Sequence, residues 1–127
     1  METKKILLVD DEEELLDLIA KTLSNENYEV TAVTNAEDAI DKARALLPDL
    51  ILIDIILPDM EGPEAVRTLS EDSLTAHIPV IFLSGIVTRE KGGGASSEVR
   101  VGERRYKALS KPFSSKELID EVQKIIG

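Results

Sequence analysis

Asp49-Leu-Ile-Leu-Ile-Asp54-Ile-Ile-Leu-Pro-Asp-Met-Glu-Gly62 is the stretch on which the fold turns. Four consecutive aliphatic residues with no polar alternation describe a strand covered on both faces, the habit of parallel sheets. An aspartate directly behind such a run would be costly to bury without partners, so a bland surface role does not suit Asp54. Gly62-Pro63 then places proline in a first helical turn.

Outward from this segment the same alternation repeats. Lys4 to Val9, Glu29 to Val33 and Ile78 to Leu83 are short apolar runs rich in branched residues. Between them, Leu15, Leu16, Ile19 and Leu23 recur at one-face helical spacing. So do Ala36, Ala39, Ile40, Ala43 and Leu47, and near the end Leu118, Ile119, Val122, Ile125 and Ile126. Ser114 with Glu117 makes a capping box, and Thr34 with Glu37 is a second candidate. Strand and helix in strict succession predict an α/β domain: five parallel strands, about five helices on both faces, right-handed crossovers.

The chain has 127 residues, 25 acidic and 15 basic, with one histidine and no cysteine. That length suits a single domain over residues 1–127 with a real core. Missing cysteines exclude a disulfide scaffold, thiolate zinc sites and cysteine nucleophiles, and a lone His77 excludes a His-rich metal site. Neither a signal peptide nor a membrane-spanning apolar run is legible, so the expected location is the cytoplasm, with no membrane contact. A net charge of -10 argues against direct nucleic-acid binding, which needs a basic footprint.

Ligands of open parallel sheets bind beyond the carboxyl ends of the strands. There the runs end in Asp10-Asp11, Asp54, Ser84-Gly85 and, before the closing helix, Lys111-Pro112. Three carboxylates converging on one edge repel one another unless a cation neutralises them. Oxygen-only donors favour Mg²⁺, which leaves a coordination position for a phosphate oxygen. A carboxylate can itself attack a phosphoryl group to form an acyl phosphate, and Asp54 suits that role. The metal, the Lys111 ammonium and the Ser84 hydroxyl would then meet the oxygens of the incoming group, with Gly85 leaving room for it.

Asp10-Asp11, Asp54 through Gly62, Ser84-Gly85 and Lys111-Pro112-Phe113 together resemble the response-regulator receiver (CheY-like) family of two-component signalling. The resemblance covers nearly the whole chain and implies a flavodoxin-like, doubly wound, five-stranded sheet of order 2-1-3-4-5, the order for which the family itself serves as an example. It implies Asp54 as phosphoacceptor, Asp11 as a direct Mg²⁺ ligand, Asp10 as a ligand through water, and Ile56 as a ligand through its backbone carbonyl. Ser84 becomes the switch hydroxyl and Lys111 its charged partner. The implied function is a stand-alone, phosphorylation-dependent switch rather than an enzyme. It would be charged by a histidine kinase or a histidine phosphotransfer protein and would signal through protein contact, as a monomer or weak dimer without an output domain.

The chain departs from that family in three places. The glycine-rich stretch after Ser84 is long and reads poorly as a helix, so the fourth helix is expected to be short, displaced or disordered. Glu98 through Ser110 instead suggests a strand, a Gly102-Glu103 turn and a second strand. Ala108 stands where the family usually has an aromatic, with Tyr106 two residues earlier on the same strand face as a substitute. Ile56 and Ile86, bulky and apolar beside the acceptor and the switch serine, cannot orient an attacking water, which predicts slow self-dephosphorylation.

Competing readings are a degenerate receiver used only as an interaction module, a Mg²⁺-dependent phosphatase of the haloacid-dehalogenase type, and a nucleotide- or flavin-binding domain. The phosphatase would need an Asp-x-Asp signature after the first strand, which is missing. An acidic first loop repels the phosphates that the third must hold. Charge is also unevenly spread: residues 1–72 hold 19 acids and 6 bases, whereas residues 73–127 hold 9 bases and 6 acids. Arg100, Arg104 and Arg105 are thus expected to form a docking surface for an acidic partner.

Overall fold

Residues 3–85 and 96–127 are described by the structure, a computed structural model. The chain runs β1 (Lys5–Val9), α1 (Glu13–Ser24), β2 (Glu29–Val33), α2 (Ala36–Leu46), β3 (Leu50–Asp54), α3 (Gly62–Ser70), β4 (Val80–Ser84), β5 (Ser96–Val101), β6 (Arg104–Ser110) and α4 (Ser115–Ile126). One sheet of order β2-β1-β3-β4-β6-β5 collects all six strands.

Successive residues of a strand point to opposite faces. Because both faces are covered, Leu7, Val9, Ile51, Ile53 and Phe82 enter a layer with Ala39, Ala43, Val66 and Leu69 of α2 and α3. Ile6, Leu8, Leu50, Leu52 and Leu83 enter the other, with Leu16, Ile19, Leu118 and Val122 of α1 and α4. This two-sided burial is why the runs lack polar alternation. Each such side chain contributes about 1.5–3 kcal/mol, and together they make a rigid base for charged groups at the strand ends.

The expected five-stranded parallel sheet is corrected in one respect. β2, β1, β3, β4 and β6 are parallel neighbours in the foreseen order, but β5 adds an antiparallel sixth strand at the edge, making the sheet mixed. Its cause is the turn expected at Gly102-Glu103: Gly102 takes φ +62°, so the two-residue connection folds β5 back along β6. Four helices lie among the described residues. The expectation for a fourth helix before the last strand falls on residues 86–95, outside the described residues.

Helix entry follows the expected chemistry at one end and not at the other. Ser114 and Glu117 form the capping box of α4. At α2 the cap is Asn35, whose side chain accepts from the Asp38 amide, in place of the Thr34–Glu37 box, because Thr34 lies one residue too early.

On α4, Glu121 is buried beneath Lys107 of β6, at 2.9 Å, and Lys124, at 3.3 Å. Burial pushes its pKa up, but the two ammonium groups outweigh that and hold it below the ordinary glutamate value of 4.5. A carboxylate with a lowered folded pKa contributes stability above its unfolded pKa and loses it as pH falls through the folded value. Glu121→Gln is therefore expected to lose about 1 kcal/mol at neutral pH. In urea titrations that deficit should shrink as pH falls from the ordinary glutamate value through the lower folded one; a deficit unchanged by acidification would refute the ion-pair account.

Candidate functional site

The cleft opens at the carboxyl ends of β1, β3, β4 and β6, lined by Asp11, Glu12, Asp54, Ile55, Ile56, Gly85 and Lys111. Asp10 follows β1 and is fully buried; its amide donates to the Val33 carbonyl at 3.2 Å, which extends the β1–β2 pairing past the strand end. Its Oδ1 accepts from the Glu12 amide at 2.9 Å. Neither Asp10 nor Asp11 is the cap of α1, which is Glu12 without a side-chain cap bond.

Asp54 closes β3, 7% exposed. Its Oδ1 accepts from the Ile56 amide at 3.3 Å. Lys111 follows β6, where its own amide donates to the Ser84 carbonyl at 2.8 Å and so continues the β4–β6 pairing past its end. The peptide from Lys111 to Pro112 is cis. From this position Lys111 Nζ reaches Asp10 Oδ2 at 2.8 Å, Glu12 Oε1 at 3.0 Å and Asp54 Oδ2 at 3.1 Å. One ammonium thus bridges three carboxylates, leaving the cluster two charges in deficit.

These contacts set the titration of the site. Burial pushes the Asp54 carboxyl above its ordinary range, and Asp10 adds to this, while Lys111 and the Ile56 amide only partly offset them. Burial pulls the Lys111 ammonium down, but its bonds to Asp10, Glu12 and Asp54 prevail and hold it above the usual lysine range. Lys111 stays charged, and the ionised form of Asp54 is destabilised by its surroundings. A poorly solvated carboxylate is a better nucleophile than one on the surface.

Among the described residues of the cleft, carboxylate and carbonyl oxygens are the donors offered to a metal. Asp10, Glu12 and Asp54 can each bring a carboxylate oxygen within 4.8 Å of the others. With hard donors and two uncompensated charges, the residues fit a hard divalent cation. Asp11 is exposed and lines the cleft, outside that trio.

Ser84 is buried and registered against Ser110. Among the described residues, an added Cβ at Gly85 would meet nothing within 4 Å. Ala108 is buried opposite Phe82, two residues before Ser110. Tyr106 shares its face but lies four residues before Ser110, about 13 Å along the strand, with its ring edge-on to Phe82 at 5.9 Å. Ile56 is 56% exposed at the rim, and Ile86 lies outside the described residues.

Two residues of the site carry no site signal of their own in the sequence. Glu12 was visible as the third acid of an unbroken run but reads equally well as an N-terminal helix charge. Asp59 carries both helix-end amides of α2, accepting from Ala36 at 2.8 Å and Glu37 at 2.9 Å. Those amides lower its pKa and tie the loop behind Asp54 to a neighbouring helix. No local pattern announces a bond spanning 22 or 23 residues.

A doubly wound sheet with an acidic, lysine-bridged cleft at its strand ends defines the class of signalling receiver domains. The chain matches the family model of the response regulator receiver domain over residues 6–123 and belongs to that family. It is 32% identical over 125 residues to the polar-differentiation response regulator DivK of Brucella anthropi, covering 98% of this chain and 97% of that protein. It is also 32% identical over 123 residues to the alkaline phosphatase synthesis transcriptional regulatory protein PhoP of Bacillus subtilis, covering 97% of this chain and 48% of that one. The chain thus spans about half the length of such transcriptional relatives and nearly all of DivK.

Among solved structures, the receiver domain of the sensor histidine kinase PA1611 from Pseudomonas aeruginosa PAO1 aligns with TM-score 0.82 at 27% identity, covering 99% of both chains. That structure has a magnesium ion coordinated in its active-site cleft. Chemotaxis protein CheY4 of Vibrio cholerae aligns with TM-score 0.81 at 28% identity, covering 98% of this chain and 99% of that one.

Proposed function

We propose that this chain is a phosphorylation-dependent switch in a two-component phosphorelay, taking a phosphoryl group onto Asp54 from a histidine kinase or a histidine phosphotransfer protein in the cytosol. The observation that carries this reading is the bridge from Lys111 to Asp10, Glu12 and Asp54 in an open cleft. An Asp54 oxygen attacks phosphorus, the P–N bond to the donor imidazole breaks, and the imidazole leaves with the electron pair. Lys111, already within reach of Asp54 Oδ2, meets one oxygen of the transferred group, and the Ser84 hydroxyl another. Asp10, Asp11 and Asp54, with the Ile56 carbonyl, would hold Mg²⁺, and Glu12 is added to that set by its place in the cluster. Bound Mg²⁺ supplies positive charge to the phosphoryl oxygens.

Incubation with acetyl phosphate and Mg²⁺ should add one phosphoryl mass to the wild type and none to Asp54→Asn. An adduct that survives the substitution removes Asp54 as the acceptor, and none in either protein refutes the reading in favour of a degenerate interaction module.

Acyl-phosphate lifetime tests the rim. Ile56, apolar and more than half exposed at the cleft, offers water no hydrogen bond. Ile56→Asn is expected to shorten the lifetime of the adduct about tenfold. A lifetime equal to or longer than that of the wild type would remove Ile56 from the control of hydrolysis.

A further inference from the structure

β5 ends the sheet, and among the described residues no strand pairs with its outer edge. The turn decides which backbone groups that edge presents. A two-residue reverse turn joins the Val101 carbonyl to the Arg104 amide, and antiparallel pairs alternate between bonded and non-bonded. Val101, Val99 and Ser97 therefore direct their amides and carbonyls toward β6, while Ser96, Glu98 and Arg100 direct theirs outward.

Side chains alternate the other way. Val99 and Val101 pack into the layer of α2 and α3, so Glu98 and Arg100 stand on the opposite face, both exposed. On that face Arg100 is registered directly against Arg105, a like-charge pair. Among the described residues the relief is weak: Glu98 lies 3.8 Å from Arg105, with the two side chains 64% and 68% exposed. Arg104 is not part of this surface, because it turns to the other face and donates to the Ala76 carbonyl at 2.8 Å. The three arginines thus do not form one docking patch.

We infer that β5 is a self-complementary edge through which two copies of this chain pair, antiparallel, about a twofold axis at Val99. That register places the outward-bonding residues Glu98 and Arg100 opposite Arg100 and Glu98 of the second copy, as two hydrogen-bonded pairs. Val99 meets Val99 as the non-bonded pair between them. Each Arg100 gains a carboxylate on its open flank, which offsets its repulsion from Arg105. Edge strands normally avoid pairing by carrying charges that would repel a second copy. Opposite charges two residues apart, flanking a valine, do the reverse. With so short an edge the dimer is weak.

Equilibrium sedimentation of the full chain from about 10 µM to about 1 mM spans the range expected of so small an interface. Glu98→Arg and Arg100→Glu should each weaken self-association about tenfold or more, and the double exchange should restore it to within about threefold of wild type. Because the chain has no cysteine, Val99→Cys gives an independent reading. Paired Cα atoms about 4.5 Å apart suit a disulfide, so mild oxidation should yield a covalent dimer, and Glu98→Arg should suppress it. A monomer across the whole range, single reversals that associate like the wild type, or a double exchange as weak as the singles would each overturn the proposal.

Discussion

Lys111→Met is expected to destabilise the chain by about 3 kcal/mol without divalent cation, and to slow acyl-phosphate formation at Asp54 about 100-fold. Methionine keeps most of the volume and removes the charge, so packing is not the variable. What remains is Asp10, wholly buried, with the Glu12 amide on Oδ1 and no partner on Oδ2, a few ångströms from a second carboxylate at Asp54. Removing one member of a buried ion cluster leaves the others uncompensated, and that is the costly direction. Because the proposed Mg²⁺ site shares these carboxylates, millimolar Mg²⁺ should recover part of the lost stability, and it should do so more for the variant than for the wild type. Urea titrations with and without Mg²⁺ measure both effects. A variant as stable as the wild type would mean that Lys111 is a surface lysine after all; a stable fold with unchanged phosphorylation rate would remove it from the site.

Much of the fold was legible because the core is two-sided. Runs such as Leu50 to Ile53 and Ile81 to Leu83 have no choice of face, so their strand character and parallel pairing follow from composition alone. Even the added strand was visible, since Gly102 can take a left-handed turn between two short alternating segments. The order of the strands does not follow from the residues themselves; it comes with the family resemblance. Asp10, Asp54, Ser84 and Lys111 are legible as the ends of strands, where an α/β sheet puts its chemistry, and the structure joins Asp10, Asp54 and Lys111 by hydrogen bonds. Glu12 and Asp59 are not legible in this way, for one physical reason. Their roles come from tertiary distance, an ammonium arriving from 99 residues away in the first case and a pair of helix-end amides in the second. Sequence also misjudged the basic segment as one surface. Strand alternation sends Arg104 to one face and Arg105 to the other, and only the register reveals which carbonyl or carboxylate awaits each.

Gly62→Ala should cost about 1–3 kcal/mol and slow phosphorylation of Asp54 by tenfold or more, up to about 100-fold. On propensity alone the change should help, since alanine is favoured over glycine within a helix by about 1 kcal/mol, and Gly62 begins α3 without any left-handed backbone angle. Space decides otherwise. A Cβ on Gly62 would collide with the Asp54 carbonyl oxygen and lie 3.1 Å from both the Asp54 carbonyl carbon and the Ile55 Cα. All three are backbone atoms, so no side chain can swing aside. The Gly62 amide is also bonded to the Ile55 carbonyl at 2.7 Å, which holds the helix start against the strand end. Relief therefore requires α3 to retreat and to pull the loop from Ile55 to Glu61 with it. That loop carries the Ile56 amide that orients Asp54 and the Asp59 carboxylate that accepts from the first two amides of α2. The disturbance is thereby directed at the proposed phosphoacceptor rather than spread through the core. Gly85→Ala is the matched control, in the same cleft but with none of the described residues within 4 Å of the new methyl group, and it should stay within about 0.5 kcal/mol of wild type. Denaturant midpoints and the rate of adduct formation for the two variants separate the explanations. If both alanines behave alike, close backbone approach is not what requires glycine at position 62.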